Sequence, residues 1–473
     1  MEATKKLSRI FVCALMSLSL VLGEARIAHS FFFGGVGIKD EVEMGRKFDM
    51  LVRSQMPMID DPEATMYVRS IVDRLLAALP PQPFKYTTSV IRHNALNAFA
   101  VPGGYIYVFS GLIINFDTES ELAGVLAHEL AHVTQRHVAS RIERGQMLTL
   151  GALLVAIAGV ALGGNAGGAA VMGAMTASQS AMLNYSRIDE NEADHQGFQY
   201  LTKAGYSPQG MVDAFQKLRR KSRMSGGGNI PTYLSTHPDI GDRISNISAR
   251  IDASPQSIRI RKEDNTRFQR VRTLLLARYG DVDAARQIFA KSPAQDCLAR
   301  MGEGILLARR NSIPDAAKAF EKALQCGPDD ELVLREVGVF HYNRGDQSRA
   351  GPLLLRAMTK DPGDYVARFY YARLMDDTGK PQAAHAYYQE VLRHLPDDAD
   401  VHEFYARSLG KANMLFPAYL HLAYAAMYSN NKKKTEQFMG QAKNAIRSPA
   451  DQAQFDRFSA RYKERNEIWK EVL

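Results

Sequence analysis

The sequence predicts an α+β, mostly helical fold, in which a mixed domain with a small β-sheet is followed by an all-α solenoid of helical pairs. Three observations lead to this prediction. Helical and strand patterns are mixed up to about residue 144, residues 145–186 carry no charge, and residue types recur at a fixed period after residue 262. The 473 residues, 46% hydrophobic and 23% charged, have a globular composition and suffice for two or three domains.

Composition also excludes several classes of protein. Three cysteines in a chain of this length cannot form a disulfide framework, so buried apolar cores must stabilise the fold. The formal charge of +8 is spread along the chain without a block of Lys and Arg. We therefore expect no nucleic-acid partner.

The N-terminus has the pattern of a secretory signal, which we assign to residues 1–30. The basic residues Lys5, Lys6 and Arg9 precede an uncharged apolar stretch, and small residues follow it. The apolar stretch is too short to span a bilayer of about 30 Å comfortably. The sequence thus predicts export, and we assign the first folded domain to residues 31–253.

The first elements of that domain are predicted from periodicity and turn residues. Residues 40–78 place apolar side chains at helical spacing, and the prolines between Pro80 and Pro83 end that pattern. Residues 97–110 indicate two strands joined at Pro102-Gly103-Gly104, because glycine supplies the backbone freedom of a tight turn. We predict a β-hairpin here.

A predicted helix that carries a candidate metal site follows the hairpin. A capping box at Thr118 to Glu121 opens the helical pattern, which continues through His128-Glu129-Leu-Ala-His132. Two histidines four residues apart share one helix face, where both imidazoles reach a zinc ion, and Glu129 beside them can accept a proton from water. The alternative is an ordinary core or surface helix.

The uncharged Gly- and Ala-rich segment, residues 145–186, has two interpretations. Its apolar part is too short for a helix that crosses a membrane. It could form a buried helix pair. Alternatively, it could form a flap that makes peripheral contact with a membrane or contacts substrate, and that moves because a glycine-rich backbone changes conformation easily.

A second segment supplies candidate partners for the histidine pair. Glu190 and Asp194 lie four residues apart on a predicted helix, so Glu190 could be a third ligand and Asp194 could orient a zinc-binding histidine. Three protein ligands leave one position open, as in catalytic zinc sites. His137 projects about 140° around the helix from His132, so we interpret it as a core or surface residue.

Residues 262–473 are predicted to form a solenoid of the tetratricopeptide type. Three sets of positions keep a spacing of 34 residues. They are Pro328, Pro362 and Pro396; Asn311, Gly345, Gly379 and Asn413; and Ala316, Ala350, Ala384 and Ala418. Gly or Asn suits a left-handed turn, Ala permits close helix packing, and Pro begins the next helix. About five helical pairs follow a junction near residues 254–261.

Together these segments resemble a known family. The HELAH sequence, the later SRxxExEAD pattern and the upstream NAFAVPGG, with a signal and helical repeats, resemble gluzincin metalloproteases of the BepA and HtpX type. These are relatives of the prenyl-protein CAAX proteases, and the architecture is most similar to the periplasmic BepA group. The resemblance implies zinc ligands His128, His132 and Glu190, a general base at Glu129, and Asp194 in a supporting catalytic role.

Two further site assignments follow from the resemblance. In gluzincins an edge strand pairs with the substrate backbone, which makes Ala98 and Phe99 candidate substrate-binding residues; the alternative is an ordinary sheet strand. His237 matches a family position near the metal. It could stabilise the oxyanion, bind zinc and close the site, or have no metal role.

The functional expectation is a zinc-dependent endopeptidase of the periplasm, associated with the outer membrane. Its substrates would be unfolded or misassembled envelope proteins, and its repeats would dock on the outer-membrane assembly machinery, as the resemblance implies. The competing hypothesis is a chaperone or assembly scaffold with a closed or vestigial metal site. Cys297 and Cys326 should be neighbours on antiparallel helices and could form a disulfide.

Overall fold

The computed structural model of the chain describes residues 35–143, 185–224, 232–238 and 240–472. The predicted signal, residues 1–30, lies outside the described residues, and so does the Gly- and Ala-rich segment 145–186 apart from its last two residues. Where the structure describes the chain, no helix combines the length and hydrophobicity that crossing a membrane requires.

The mixed domain contains four strands and nine helices in its described parts. In chain order they are α1 Ile38–Gln55, β1 Met58–Ile59, α2 Pro62–Leu76, β2 Thr87–Ile91, β3 Ala98–Val101, β4 Tyr105–Phe109, α3 Ser110–Asn115, α4 Glu119–Thr134, α5 His137–Glu143, α6 Arg187–Lys203, α7 Gln209–Met224, α8 Thr232–Thr236 and α9 Ile240–Asp252. A short helix, α10 Gln256–Arg259, follows at the predicted junction.

The predicted helical region 40–78 is two helices separated by a strand. Met56 has extended backbone angles because the following Pro57 disfavours the helical conformation. Asp61 then caps α2 by accepting hydrogen bonds from the backbone N–H groups of Glu63 and Ala64, and Pro62 occupies the first helical position. The periodicity was correct, but the two prolines divide the region.

The four strands form one sheet in the order β1-β2-β4-β3, in which β3 is an edge strand. β3 and β4 form the predicted hairpin, with Ala98 opposite Val108. Gly103 and Gly104 adopt φ values of +80° and +87°, which L side chains rarely adopt. The turn thus depends on both glycines, and the hairpin prediction is confirmed.

Helix α4 is the centre of the domain, and its residues 120–133 are all buried. Thr118 caps it by accepting a hydrogen bond from the Glu121 N–H. Helix α6 approaches α4 closely at Gly197, where a Cβ would lie 3.1 Å from the Ala127 carbonyl oxygen. This contact fixes the position of α6 against the helix that carries the two histidines.

The repeats consist of twelve helices. In chain order they are α11 Thr266–Tyr279, α12 Val282–Lys291, α13 Cys297–Arg309, α14 Ile313–Cys326, α15 Glu331–Asn343, α16 Gln347–Lys360, α17 Tyr365–Asp377, α18 Pro381–His394, α19 Ala399–Lys411, α20 Leu415–Tyr428, α21 Lys432–Asn444 and α22 Pro449–Val472. The predicted solenoid of helical pairs is confirmed.

Two of the three periodic sets have the predicted roles. The turn positions Asn311, Gly345, Gly379 and Asn413 all have positive φ, between 58° and 76°. The alanines 316, 350, 384 and 418 are buried where helices meet. The 34-residue spacing therefore corresponds to one left-handed turn position and one close helix contact in each repeat.

The proline set needs correction. Pro328, Pro362 and Pro396 do not begin helices but precede them by three residues. The helices begin after aspartates that keep the same period, and each aspartate accepts a hydrogen bond from a backbone N–H in the first turn. These caps are Asp296, Asp330, Asp364 and Asp398.

The first repeat helix belongs structurally to the mixed domain as well. Phe268, Val271 and Leu275 of α11 lie in the same apolar core as Tyr67 of α2. Arg278 of α11 pairs with Asp61 and, at 2.6 Å, with Glu336 of α15. Arg335 of α15 pairs with Glu63 of α2. The domain and the repeats are thus joined by a shared core and buried ion pairs.

The structure contains the Cys297–Cys326 disulfide, with 5.4 Å between the Cα atoms. It links the first residue of α13 to the last residue of α14. The predicted pairing is confirmed in the structure.

Replacing both cysteines with serine is expected to destabilise the repeats by about 3 to 4 kcal/mol, because the bond closes a loop of 29 residues in the unfolded chain. Thermal unfolding followed by circular dichroism would measure this loss. Reductant should lower the Tm of the wild type and leave the double variant unchanged. Equal Tm values for wild type and variant without reductant would contradict the expectation.

Candidate metal centre

Four side chains from three segments converge in the core of the mixed domain. His128 and His132 lie one turn apart on α4, Glu190 lies on α6, and His237 follows α8. All four are buried, and one ligand atom from each lies within 4.8 Å of the others. The structure therefore brings together every residue that the sequence indicated as a metal ligand.

The geometry of this group, and the protonation of His128 and His132 within it, fit a divalent metal. The Nε2 atoms of His128 and His132 are 3.0 Å apart, and Glu190 Oε1 is 2.8 Å from His237 Nδ1. Burial lowers the pKa of His128 to about 4 and that of His132 well below its usual value, so both rings are neutral, as metal ligands must be. Imidazole nitrogens with a carboxylate oxygen are a set of donors that zinc prefers.

Asp194 contacts the far side of His128. Its Oδ1 lies 2.9 Å from His128 Nδ1, one helical turn after Glu190 on α6. Ser186 caps α6, which fixes where the helix begins. The predicted orienting contact between Asp194 and a ligand histidine is therefore present in the geometry.

Arg243 on α9 is part of the site and was not predicted. Its guanidinium donates two hydrogen bonds of 2.7 Å to the two oxygens of Asp194. Its Nη1 lies 2.5 Å from Glu190 Oε2. A sequence signal existed, because Arg243 lies three residues after Ile240 on the buried face of a helix otherwise lined by isoleucines.

The ion pairs with Arg243 determine the ionisation of Glu190 and Asp194. Burial by itself raises the pKa of Glu190, but the charges of Arg243 and His237 outweigh it and hold the pKa well below its usual value. Burial likewise raises the pKa of Asp194, and Arg243 with His128 lowers it to about 2. Both carboxylates are thus ionised at neutral pH.

Glu129 is buried beside the ligands without belonging to the group. Burial raises its pKa to about 7. Its Oε1 has no hydrogen-bond partner among the described residues, and His237 Nε2 lies 3.5 Å away. The backbone N–H of Ala100 in the edge strand donates to the Glu129 carboxylate. This carboxylate can therefore exchange a proton inside the site.

His237 is held between aromatic rings. Its ring centroid lies 4.4 Å from Tyr233 and 5.3 Å from Tyr185, and both pairs are stacked. Burial opposes the charged form of His237, but Glu190 and Glu129 raise its pKa. His237 therefore contacts both a candidate ligand and the candidate base, an arrangement compatible with the closed-site interpretation and with the oxyanion interpretation.

The edge strand lies next to Glu129, with its side chains packed inward. Ala98 is fully buried, and the Phe99 ring stacks on Tyr107 at 4.8 Å. The Phe109 N–H donates to the Asn97 carbonyl, and in this register the backbone groups of Ala98 and Ala100 point away from β4. Any contact with substrate would therefore use the strand's backbone, at Ala98 rather than Phe99.

His137 is a core residue, one of the two predicted alternatives, but the prediction that it projects away from His132 is wrong. The helix ends at Thr134, Arg136 has a φ of +54°, and His137 begins α5. His137 is buried, and its Nδ1 lies 2.9 Å from His132 Nδ1. A projection along one continuous helix could not show this contact, since no Gly or Pro marks the turn.

Comparison with known proteins agrees with this architecture. Residues 62–251 match the peptidase family M48 model, and residues 342–408 and 274–365 match tetratricopeptide repeat models. A putative beta-barrel assembly-enhancing protease of Vibrio cholerae is 36% identical over 54% of this chain and 53% of its own length. The beta-barrel assembly-enhancing protease of Escherichia coli is 30% identical over 63% of this chain and 62% of its own length.

A shorter relative matches the peptidase part. The metalloprotease LoiP of Escherichia coli is 30% identical over 36% of this chain and 64% of its own length. The alignments thus span about half to two thirds of the length of these curated relatives.

Proposed function

We propose that the chain is a zinc-dependent endopeptidase of the bacterial periplasm, because residues 62–251 match the model of peptidase family M48 and tetratricopeptide repeats follow them. Its substrates would be unfolded or misassembled envelope proteins. The observation that carries the proposal is the buried convergence of His128, His132 and Glu190 beside Glu129. The names of the relatives support a role in the assembly of outer-membrane β-barrels.

Each residue of the site has a task in this proposal. His128, His132 and Glu190 would hold the zinc ion, which supplies a Lewis acid that polarises the scissile carbonyl and lowers the pKa of water. Glu129 Oε1 would accept the proton of the attacking water and deliver it to the departing amine. The pKa of Glu129, raised by burial to about 7, suits a group that both accepts and returns a proton near neutral pH.

The edge strand would place the substrate. The outward N–H and carbonyl of Ala98 and the outward carbonyl of Ala100 would pair with an extended peptide, as strands add to sheet edges in many complexes. Ala100 also contacts the Glu129 carboxylate, so a peptide paired here would lie beside the base. Backbone pairing is independent of side chains, which suits an enzyme that acts on many unfolded chains.

The repeats would dock the outer-membrane assembly machinery. A cleft of about 830 Å³ lies between the start of α2 and the repeats. Its lining includes the aromatic rings of Tyr365 and Phe369 and the carboxylates of Asp60, Asp398 and Asp400. Stacked helical pairs commonly bind proteins on such concave surfaces.

His237 supports a second candidate function, a chaperone or scaffold whose metal site is closed. Its ring nitrogens lie 2.8 Å from Glu190 Oε1 and 3.5 Å from Glu129 Oε1. In this position His237 would compete with the metal for Glu190 and with water for Glu129. Zinc content and casein hydrolysis, measured together on the purified protein, separate the two functions. Stoichiometric zinc with hydrolysis supports the endopeptidase, and zinc without hydrolysis in the wild type and in His237→Ala supports the scaffold.

His237→Ala is expected to raise casein hydrolysis by up to about tenfold, because removing a competing contact increases the fraction of protein in the open state. Tyr86→Phe is a suitable control, since it removes a buried hydroxyl without a hydrogen-bond partner in the described part of the chain and leaves the four candidate ligands unchanged. A fall in kcat with unchanged zinc content would instead show that His237 stabilises the transition state.

A further inference from the structure

The turn between α4 and α5 brings a fourth histidine, His137, to the site. Arg136 adopts a φ of +54°, a left-handed conformation that is uncommon for arginine. Its side chain is held by Glu41, with Nε 2.5 Å from Oε1, and by the Val36 carbonyl. The surrounding structure thus fixes a strained turn, as is frequent near functional sites.

The consequence of this turn is a chain of contacts from His132 to the surface. His132 Nδ1 lies 2.9 Å from His137 Nδ1, and His137 Nε2 lies 3.4 Å from Glu192 Oε2. His132 and His137 are buried, whereas the Glu192 side chain is 46% exposed. The contact chain runs across three helices, from α4 through α5 to α6.

The proton positions in this chain follow from the acceptor at its end. An ionised carboxylate only accepts, so His137 Nε2 carries the proton that is directed at Glu192. With its proton on Nε2, His137 has a lone pair on Nδ1, which can accept the proton on His132 Nδ1. His132 Nε2 then keeps a lone pair 3.4 Å from Glu190 Oε1 and 3.0 Å from His128 Nε2, an arrangement of acceptors that requires a cation between them.

We propose that His137 is a positioning residue, which fixes the ring orientation and tautomer of His132 so that Nε2 faces the metal. The proposal rests on the proposed function, because it assumes that His132 is a ligand. It parallels the contact of Asp194 with His128, in which another group holds the far nitrogen of a ligand. The two ligand histidines thus differ, since a carboxylate orients one and a neutral imidazole orients the other.

The test compares His137→Gln with His137→Leu, in the full chain. The two side chains are similar in size, but only the glutamine amide oxygen can accept the His132 Nδ1 proton. The zinc dissociation constant, measured by competition with a chromophoric chelator, should rise about 10- to 100-fold in His137→Leu and no more than about threefold in His137→Gln. Glu192→Ala should weaken zinc binding less than His137→Leu does, because Glu192 is half exposed.

A second readout follows the proton on His132 Nδ1. In the zinc-saturated wild type, this Nδ1–H should exchange slowly with water in imidazole ¹H–¹⁵N spectra, because His137 Nδ1 accepts it at 2.9 Å. At saturating zinc, His137→Leu should lose this protection while His137→Gln retains it. Equal zinc affinities in the two variants, or an unchanged exchange rate of the His132 Nδ1–H in His137→Leu, would overturn the positioning role. Thermal unfolding of the zinc-free variants identifies any general loss of folding.

His128→Ala separates this inference from the proposed function. If the wild type binds zinc no more tightly than His128→Ala, the metal site itself is wrong. If His128→Ala loses zinc while both His137 variants retain wild-type affinity, only the positioning role fails. Loss of zinc in His128→Ala together with a selective loss in His137→Leu supports both.

Discussion

Replacing Glu129 with glutamine is expected to lower casein hydrolysis by about 10² to 10⁴-fold, because the amide cannot take the proton of the attacking water. The exchange keeps the size of the side chain in a buried position. Glu129 lies outside the group of four candidate ligands, so the variant should retain zinc. The measurement combines kcat/KM for casein with metal content determined by atomic absorption.

Glu190→Gln is the matched control for this result. It makes the same chemical change on a residue that belongs to the ligand group, so it should lower zinc content as well as hydrolysis. Hydrolysis that persists in zinc-loaded Glu129→Gln would refute the assignment of the general base. Loss of zinc in Glu129→Gln would show that Glu129 contributes to the metal site.

Arg243→Met should destabilise the protein by about 3 to 5 kcal/mol, the largest stability effect that we expect from a single change. Arg243 is buried and pairs with Asp194 and Glu190, which are also buried. Methionine fills similar space but leaves two carboxylates without their cation, so their pKa values should rise. Urea unfolding followed by circular dichroism would measure the loss.

Arg69→Met is the control for that measurement. Its ion pair with Asp73 spans 3.5 Å between side chains that are 65% and 59% exposed. We expect a change within about 0.5 kcal/mol, because water screens such pairs. If Arg243→Met were no more destabilising than Arg69→Met, the ion pairs of Arg243 would contribute little to folding.

The parts of the fold that the sequence predicted correctly are encoded locally. Helix α4 begins at the capping residue Thr118 and keeps one helical period through His132, so its existence and its histidine pair follow from nearby residues. The repeat turns follow from Gly or Asn at one position in each period. Glu190 and Asp194 could be placed on one face of α6 for the same reason.

The parts that the sequence did not predict depend on contacts between distant segments. Arg243 reaches Asp194 from a helix 49 positions away, and nothing near it in sequence indicates a partner. His137 returns to His132 because Arg136 adopts a left-handed conformation that contacts with Glu41 stabilise. Periodicity describes one helix at a time, and so it cannot show where another helix arrives.

The core that α11 shares with the mixed domain limits where the chain can be truncated. A peptidase fragment that stops near residue 261 would lack Phe268, Val271 and Leu275, and would expose the apolar surface that they cover. Such a fragment should aggregate during expression. Extension through Tyr279 restores this cover but exposes Leu274 and Leu276, which pack against the repeats in the intact chain. Exchange of the repeats between relatives should therefore keep α11 with the mixed domain and also keep the repeat residues that pack against Leu274 and Leu276.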